Sequence, residues 1–313
     1  MAEMTLAHIS DLHLNPHYKR ANVLRTRQIL HAVNRLGADH VVVTGDITSG
    51  ALPEDFAVAR DLFAEAGLLQ GSRLTMVIGN HDIFGGVHTA EDVLSFPGKC
   101  RKAPYDRRVQ EFAGQFSEAF ERTLTVSKES PFPFVKMVND VVLIGINSVA
   151  RYSGVRNPLG SNGWVDDDQL ERFERLVGSR LFTGKRKIVL IHHHFCKLEQ
   201  NGVGTMHSVW GTIERQTMKL RGKKDLLRLF QQHGIDLVLH GHYHRTMEYE
   251  RKGIRFLNGG GSVMDELSKT LTVNIVRVSG RGIDVAAHRI PLESVDEAAA
   301  SRLPAPAVLD RAA

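Results

Sequence analysis

The chain has 313 residues, of which 42% are hydrophobic and 24% are charged, and its formal net charge is +5. This composition indicates a globular protein with one large α/β domain or two ordinary ones, and no apolar run approaches the ~18 residues that a membrane span needs. With only two cysteines, Cys100 and Cys196, a disulfide framework is excluded and a cytoplasmic location is expected.

In the first part of the chain, apolar runs typical of strands alternate with segments that carry apolar residues at helical spacing. Ile29, Val33 and Leu36, for example, would lie on one face of a helix. The predicted elements are the strand Thr5–Ile9, the helix Arg20–Leu36, the strand Val41–Val43, the helix Pro53–Ala66 and the strand Leu74–Ile78.

Residues 83–135 interrupt this alternation and contain four prolines. One amphipathic helix is predicted among them, over Asp106–Leu124, with Phe112 and Phe116 on its apolar face. We interpret the segment as a helical insertion over the face where the preceding loops end, near any site that those loops would form. It would shape the pocket or support a homodimer, and ordinary core packing is the alternative for its phenylalanines.

Regular alternation then resumes and gives way to consecutive strands separated by glycine-bearing turns. The predicted elements are the strand Val141–Ile146, the helix Asp166–Val177, the strand Lys187–Ile191, the helix Lys223–Gln232 and the strands Ile235–Leu239, Met247–Glu250, Ile254–Leu257, Thr270–Val278 and Ile283–His288. This order indicates an α/β domain over residues 1–293, in which two packed β-sheets are covered by helices. Residues 294–313 are rich in Ala and Pro and are predicted to be a peripheral tail.

Five of the predicted strands are followed directly by Asp, Asn or His. The segments are Ser10-Asp11-Leu12-His13, Thr44-Gly45-Asp46, Gly79-Asn80-His81-Asp82, His192-His193-His194 and His240-Gly241-His242-Tyr243-His244. Each alone has an ordinary interpretation as a cap, a turn or a solvated loop. If the strands are parallel neighbours, however, their carboxyl ends meet in one crevice, where these side chains suit Zn, Mn or Fe. Seven donors are too many for one tetrahedral ion and fit two ions with one bridging carboxylate.

The ordered motifs DLH, GD, GNHD, HHH and GHYH resemble the calcineurin-like metallophosphoesterase superfamily from residue 4 to about residue 262. The resemblance implies a four-layer α/β/β/α sandwich of two mixed sheets flanked by helices. It also implies two divalent or mixed-valence transition-metal ions, of Mn, Fe, Zn or Co. The implied ligands are Asp11, His13 and His244 for one ion, Asn80, His192 and His242 for the other, and Asp46 as the bridge, with His193 as the alternative to His192.

His81 and Asp82, which complete the GNHD motif, are predicted to be catalytic. Two ions would lower the pKa of a bridging water, so that hydroxide attacks phosphorus. The departing alkoxide needs a proton, which His81 would supply. Asp82 would orient His81 and hold it charged through a hydrogen bond, and the superfamily resemblance implies the same roles.

Two further stretches, INSVARYSGVRNPLGSNGWVDDDQLERFERLV and GHYHRTMEYERKGIRFLNGGGS, resemble the bacterial class III cyclic-nucleotide and glycerophosphodiester phosphodiesterases. The predicted function is therefore a phosphodiesterase acting on small diesters such as cyclic nucleotides or glycerophosphodiesters. The alternatives are a phosphomonoesterase acting on nucleotides or small phosphates, a DNA nuclease, and a scaffold without metal chemistry. The basic charge suits a small anionic substrate, whereas the even spread of arginines argues against a nucleic-acid partner.

Overall fold

The structure is a computed structural model that describes residues 3–196, 218–263 and 270–292. The predicted tail, residues 294–313, lies outside the described residues.

The strands are β1 Met4–Ile9, β2 His40–Thr44, β3 Leu74–Val77, β4 Thr123–Leu124, β5 Phe134–Val138, β6 Val141–Ile146, β7 Gly163–Trp164, β8 Arg186–Ile191, β9 Leu220–Arg221, β10 Leu237–His240, β11 Thr246–Arg251, β12 Ile254–Gly259, β13 Thr270–Ser279 and β14 Gly282–Pro291. The α-helices are α1 Arg20–Arg35, α2 Pro53–Glu65, α3 Asn80–Phe84, α4 Ala90–Lys102, α5 Tyr105–Gln115, α6 Ser117–Phe120, α7 Asp167–Val177 and α8 Lys223–Gln232. Every helix in the described ranges is too short or too polar to cross a bilayer.

Two mixed sheets form the centre of the fold, which confirms the predicted sandwich. The first sheet has the order β14-β13-β1-β2-β3, in which β1, β2 and β3 are parallel and β13 is antiparallel to both neighbours. The second has the order β11-β12-β10-β8-β6-β5-β4, with β12, β10, β8 and β6 parallel. A short parallel pair, β7 and β9, lies apart from them. The parallel strands place their carboxyl ends at one edge of each sheet.

The alternation of side chains along β8 explains why both faces of the second sheet are covered. Ile188 and Leu190 point into the core that this sheet shares with the first sheet. Val189 and Ile191 belong to a separate core, formed with α7 and α8. Because successive strand residues point to opposite faces, a strand that is apolar throughout needs cover on both sides. Helices α1 and α2 contribute to the larger core with the first sheet.

The segment 83–135 differs in two ways from the prediction. The helix predicted over Asp106–Leu124 is divided into α5 and α6, because Phe116 between them has φ −119° and ψ 44°, outside the helical region. The helix α4 was not predicted, since its interior contains Pro97, which disfavours a helix. A reciprocal cap between Thr89 and Asp92 starts α4 in spite of that proline.

The phenylalanines of this segment are part of the core. Phe112 and Phe116 are fully buried, and their ring centroids are 5.3 Å apart. Phe116 also contacts Phe56 and Phe63 of α2, at 6.1 and 6.4 Å. Ordinary core packing, the alternative considered from the sequence, therefore describes these side chains.

We expect Phe116→Ala to lower the free energy of unfolding by about 3–5 kcal/mol, because a buried ring is lost and a cavity remains. Urea unfolding followed by circular dichroism measures the change. Leu124→Ala is the control, since Leu124 is 49% exposed. Equal losses in the two variants would contradict a packing role for Phe116.

Candidate metal centre

The five polar segments predicted at strand ends meet where the two sheets adjoin. The Asp11 backbone N–H donates to the Gly45 carbonyl at 3.1 Å, which ties together the loops after β1 and β2. The Gly241 N–H donates to the His192 carbonyl at 3.0 Å in the second sheet. The His242 N–H donates to Asp11 Oδ2 at 3.0 Å and so joins the two sheets. The predicted convergence of carboxyl ends thus involves both sheets rather than one.

Asp11, His13 and His244 form one group of donor atoms. His13 Nε2 and His244 Nε2 are 3.0 Å apart, and His244 Nε2 is 3.6 Å from Asp11 Oδ1. Donor atoms ~2.1 Å from a common tetrahedral cation lie roughly 3.4 Å from one another. The three side chains are thus spaced as ligands of one ion would be.

Asp46, His192 and His242 form a second group. His192 Nε2 lies 3.1 Å from His242 Nδ1 and 3.3 Å from Asp46 Oδ2. Asn80 Oδ1 is 3.1 Å from His192 Nε2. Asp46 Oδ2 is also 3.9 Å from His13 Nε2, so this carboxylate faces both groups. All seven residues expected from the sequence to be metal ligands are therefore brought together.

His192 and His193, which are consecutive after β8, have different hydrogen-bond partners. His192 Nδ1 contacts the Thr44 carbonyl at 2.8 Å, which leaves Nε2 facing the donor group. His193 has both nitrogens engaged elsewhere, with Nδ1 2.8 Å from Ser148 Oγ and Nε2 3.3 Å from the Ser161 carbonyl. This geometry supports His192 as the candidate ligand in preference to His193.

The electrostatics of the two buried carboxylates are unfavourable without cations. Burial raises the pKa of Asp11 to about 7, with the charge of His192 acting against it and that of Asp46 reinforcing it. Burial also acts to raise the pKa of Asp46, but the charges of His192, His81 and His13, together with the hydrogen bond from His192, outweigh burial and hold that pKa well below the ordinary value. Two buried acids that cannot easily both ionise are the environment that positive ions stabilise.

The lowered pKa values of three histidines also favour the binding of positive ions. Burial lowers the pKa of His13 and His242 well below the ordinary value and that of His244 to about 4, so these rings are neutral and keep a lone pair for coordination. His242 Nε2 is buried without a hydrogen-bond partner among the described residues, and Nδ1 faces His192 Nε2. The donor set therefore fits a pair of transition-metal ions.

The backbone at these strand ends is strained. Asp11, His13, Asp46 and His242 have φ values of 55°, 44°, 50° and 68°, in the left-handed region that residues with a Cβ rarely adopt. Strain of this kind persists only where the surrounding structure holds it, and it concentrates at functional sites. Gly79 shows how closely the loops approach, since a Cβ there would lie 2.2 Å from the Asp46 backbone nitrogen.

The hydrogen bond predicted between Asp82 and His81 is wrong. Asp82 is fully buried; its Oδ2 accepts from the Gly79 N–H at 2.9 Å and its Oδ1 from the Thr48 N–H at 2.8 Å. His81 Nδ1 lies instead 3.2 Å from the Ser49 carbonyl. Asp82 caps the first turn of α3, where its carboxylate satisfies an otherwise unpaired N–H, and this is why it points away from the ring.

The sequence analysis did not identify the groups that form hydrogen bonds with His81, His192 and His193. Thr44 and Ser49 act through backbone carbonyls, which every residue carries, so their side chains give no signal. Ser148 uses its hydroxyl on His193, but it follows a strand, β6, that was not among the five considered.

Comparison with known proteins bears on the family and the fold of the chain. The family model described as calcineurin-like phosphoesterase matches residues 4–246. A dimetal phosphatase from Danio rerio is similar in structure, with a TM-score of 0.58 and 11% identity, over 93% of this chain and 99% of that chain. The purple acid phosphatase PPD1 from yellow lupin seeds has a TM-score of 0.56 and 13% identity, over 92% of this chain and 52% of that chain. No curated protein gives a significant sequence match.

We expect His192→Ala to bind less metal than the unaltered chain, since His192 Nε2 is central to the second donor group. His193→Ala is the matched control, because the nitrogens of that ring contact serine oxygens. Elemental analysis after dialysis against Mn²⁺ measures the metal per chain. Full metal content in His192→Ala together with loss in His193→Ala would reverse the assignment.

Proposed function

The chain belongs to the calcineurin-like phosphoesterase family, and we propose that it is a metal-dependent phosphodiesterase that hydrolyses small diesters such as cyclic nucleotides or glycerophosphodiesters. The observation that supports this proposal is the meeting of two donor groups at one carboxylate, Asp46, between the carboxyl ends of two sheets. The choice of diesters over monoesters rests on the sequence resemblance of the stretches after β6 and β10.

We assign the ligands from the two groups. Asp11, His13 and His244 would hold one ion, Asn80, His192 and His242 the other, and Asp46 would bridge them. When bound, two divalent ions neutralise charge on a phosphate group and lower the pKa of water held between them. Mn, Fe, Zn and Co all accept such ligands.

We propose that His81 acts on the leaving group. Its backbone N–H donates to Asp46 Oδ1 at 2.8 Å, and its ring centroid is 4.6 Å from that of His13. Because a carbonyl oxygen only accepts, His81 Nδ1 carries a hydrogen in its contact with Ser49. We assign to Nε2 the proton that the departing oxygen takes up as the phosphorus–oxygen bond breaks.

The substrate class is tested with two chromogenic esters. We expect the Mn²⁺-loaded protein to hydrolyse bis(p-nitrophenyl) phosphate with a higher kcat/KM than p-nitrophenyl phosphate, and to lose this activity with EDTA. A preference for the monoester would favour the phosphomonoesterase alternative. Inactivity on both esters with no bound metal would favour a scaffold and contradict the proposal.

We expect His81→Ala to keep its metal and to lose kcat by ~10²–10⁴-fold on a diester with an alkyl leaving group. The loss on bis(p-nitrophenyl) phosphate should be smaller, because p-nitrophenolate leaves without needing a proton. His31→Ala, an exposed histidine on α1, is the control. Equal losses for both leaving groups would show that His81 does not supply the proton.

A further inference from the structure

The candidate metal centre is open to solvent on the side of its first donor group. The side chain of His244 is 39% exposed and that of His13 is 12% exposed, whereas the side chain of His192 in the second group is fully buried. The half-buried ring of His81 lies edge-on to His13 on this same side. A substrate would therefore enter past these three exposed rings, and the residues around them are in a position to recognise it.

The loop before α1 and the loop after α3 meet beside this opening. The rings of Tyr18 and His88 are stacked, with their planes 4° apart and their centroids 5.1 Å apart. The loop after α3 also lies on the ring of His81, since a Cβ added to Gly86 would be 2.6 Å from His81 Cε1. The stacked pair therefore lies close to the residue to which we assign the leaving-group proton.

Asn15 holds the loop before α1 in place. Its Oδ1 accepts the backbone N–H groups of His17 and Tyr18 at 2.9 and 2.7 Å. Its Nδ2 donates to Oδ1 of the buried Asp55 at 2.9 Å. Because the loop is already ordered by these bonds, binding a ligand against it costs little conformational entropy.

Lys19, the next residue in this loop, brings a positive charge to the opening. Its side chain is exposed, and its ammonium group makes no ion pair with a carboxylate in the described part of the chain. Burial is the main cause of the lowered pKa of His13, His244 and His88, and the charge of Lys19 adds to that effect at each ring. An exposed charge acts in this way only over roughly 10 Å or less, so the ammonium group lies near all three rings.

We propose that Lys19 binds a second anionic group, carried by the leaving alcohol of the substrate, and that the stacking of Tyr18 on His88 positions Lys19 for this contact. The inference rests on the proposed function and narrows its substrate class to diesters whose leaving alcohol carries a carboxylate or a phosphate. The leaving side is assigned because the loop after α3 lies on His81. An ammonium group on a flexible stem suits either anion, since it binds as a point charge without a fixed planar geometry.

Binding is tested without hydrolysis. The Mn²⁺-loaded full chain is titrated calorimetrically with methyl [4-(carboxymethyl)benzyl]phosphonate and with its carboxamide, in which carbon replaces the leaving oxygen. We expect the carboxylate to bind roughly 3–5-fold more tightly, as for an exposed ion pair. Lys19→Ala should remove this preference and Lys19→Arg should keep it. Lys224→Ala, which removes an exposed lysine from α8, is the control and should also keep it.

Equal affinity of the unaltered chain for the two phosphonates would overturn the role of Lys19. A preference that survives Lys19→Ala, or one that Lys224→Ala also removes, would overturn it as well. Because the contact is between exposed charges, we expect 0.5 M NaCl to reduce the preference, and a preference that is independent of salt would contradict an ion pair.

The role of Tyr18 is tested with the same two ligands. Tyr18→Phe keeps the stacked ring and should keep the preference for the carboxylate. Tyr18→Ala removes the ring and should reduce the preference while the affinity for the carboxamide stays the same. Equal weakening for both ligands would show a general structural effect, and an unchanged preference in Tyr18→Ala would contradict positioning by the stack.

Turnover separates this inference from the proposed function. The substrates are methyl 4-(carboxymethyl)phenyl phosphate and its carboxamide, whose leaving phenols are of similar basicity because a methylene group insulates the ring from the substituent. We expect the carboxylate to have the lower KM, and Lys19→Ala to remove that advantage. If both esters are hydrolysed with equal KM, the role of Lys19 fails and the proposed function stands. If neither is hydrolysed while the phosphonate preference is present, the proposed function fails and the contact with Lys19 stands.

Discussion

The candidate metal centre depends on two buried carboxylates, those of Asp11 and Asp46, each of which has an oxygen 3.9 Å from His13 Nε2. Loss of solvation and, to a smaller extent, the charge of Asp46 oppose the ionisation of Asp11, as its raised pKa indicates. Burial lowers the pKa of His13, His242 and His244. For His192, burial is outweighed by the charge and hydrogen bond of Asp46 together with the charge of Asp11 and the hydrogen bond to the Thr44 carbonyl, and the pKa is raised to about 9. Bound cations would relieve this imbalance, because they offset both negative charges and use the lone pairs of the neutral rings.

The fold is built to hold these groups together. Strands from separate sheets end at the same place, and the loops that leave them adopt left-handed conformations at four of the candidate ligands. Such conformations cost of order 1–3 kcal/mol each and need a rigid surrounding structure. The fully buried parallel strands and the helices packed over them supply that rigidity.

Much of the fold and the set of candidate ligands could be predicted from the sequence, because each candidate ligand follows an apolar run that predicts a strand. The ends of α8 and β6 and the two-sheet architecture were predicted from local patterns of the same kind. Family membership agrees with the motifs over residues 4–246. The division of the helix at Phe116 was not predictable, since its apolar spacing continues through the break and core packing against α2 decides the conformation.

The sequence by itself determined which donors stand at the strand ends and that they suit two ions, because strand periodicity and side-chain chemistry are local properties. Only the tertiary structure decided that His192 faces the centre while His193 faces Ser148, and that Asp82 caps α3 instead of holding His81. It also brought Tyr18 and His88 into contact beside His81. These outcomes depend on hydrogen-bond partners and neighbours that are distant along the chain, and no local pattern specifies which of several chemically similar side chains will meet them.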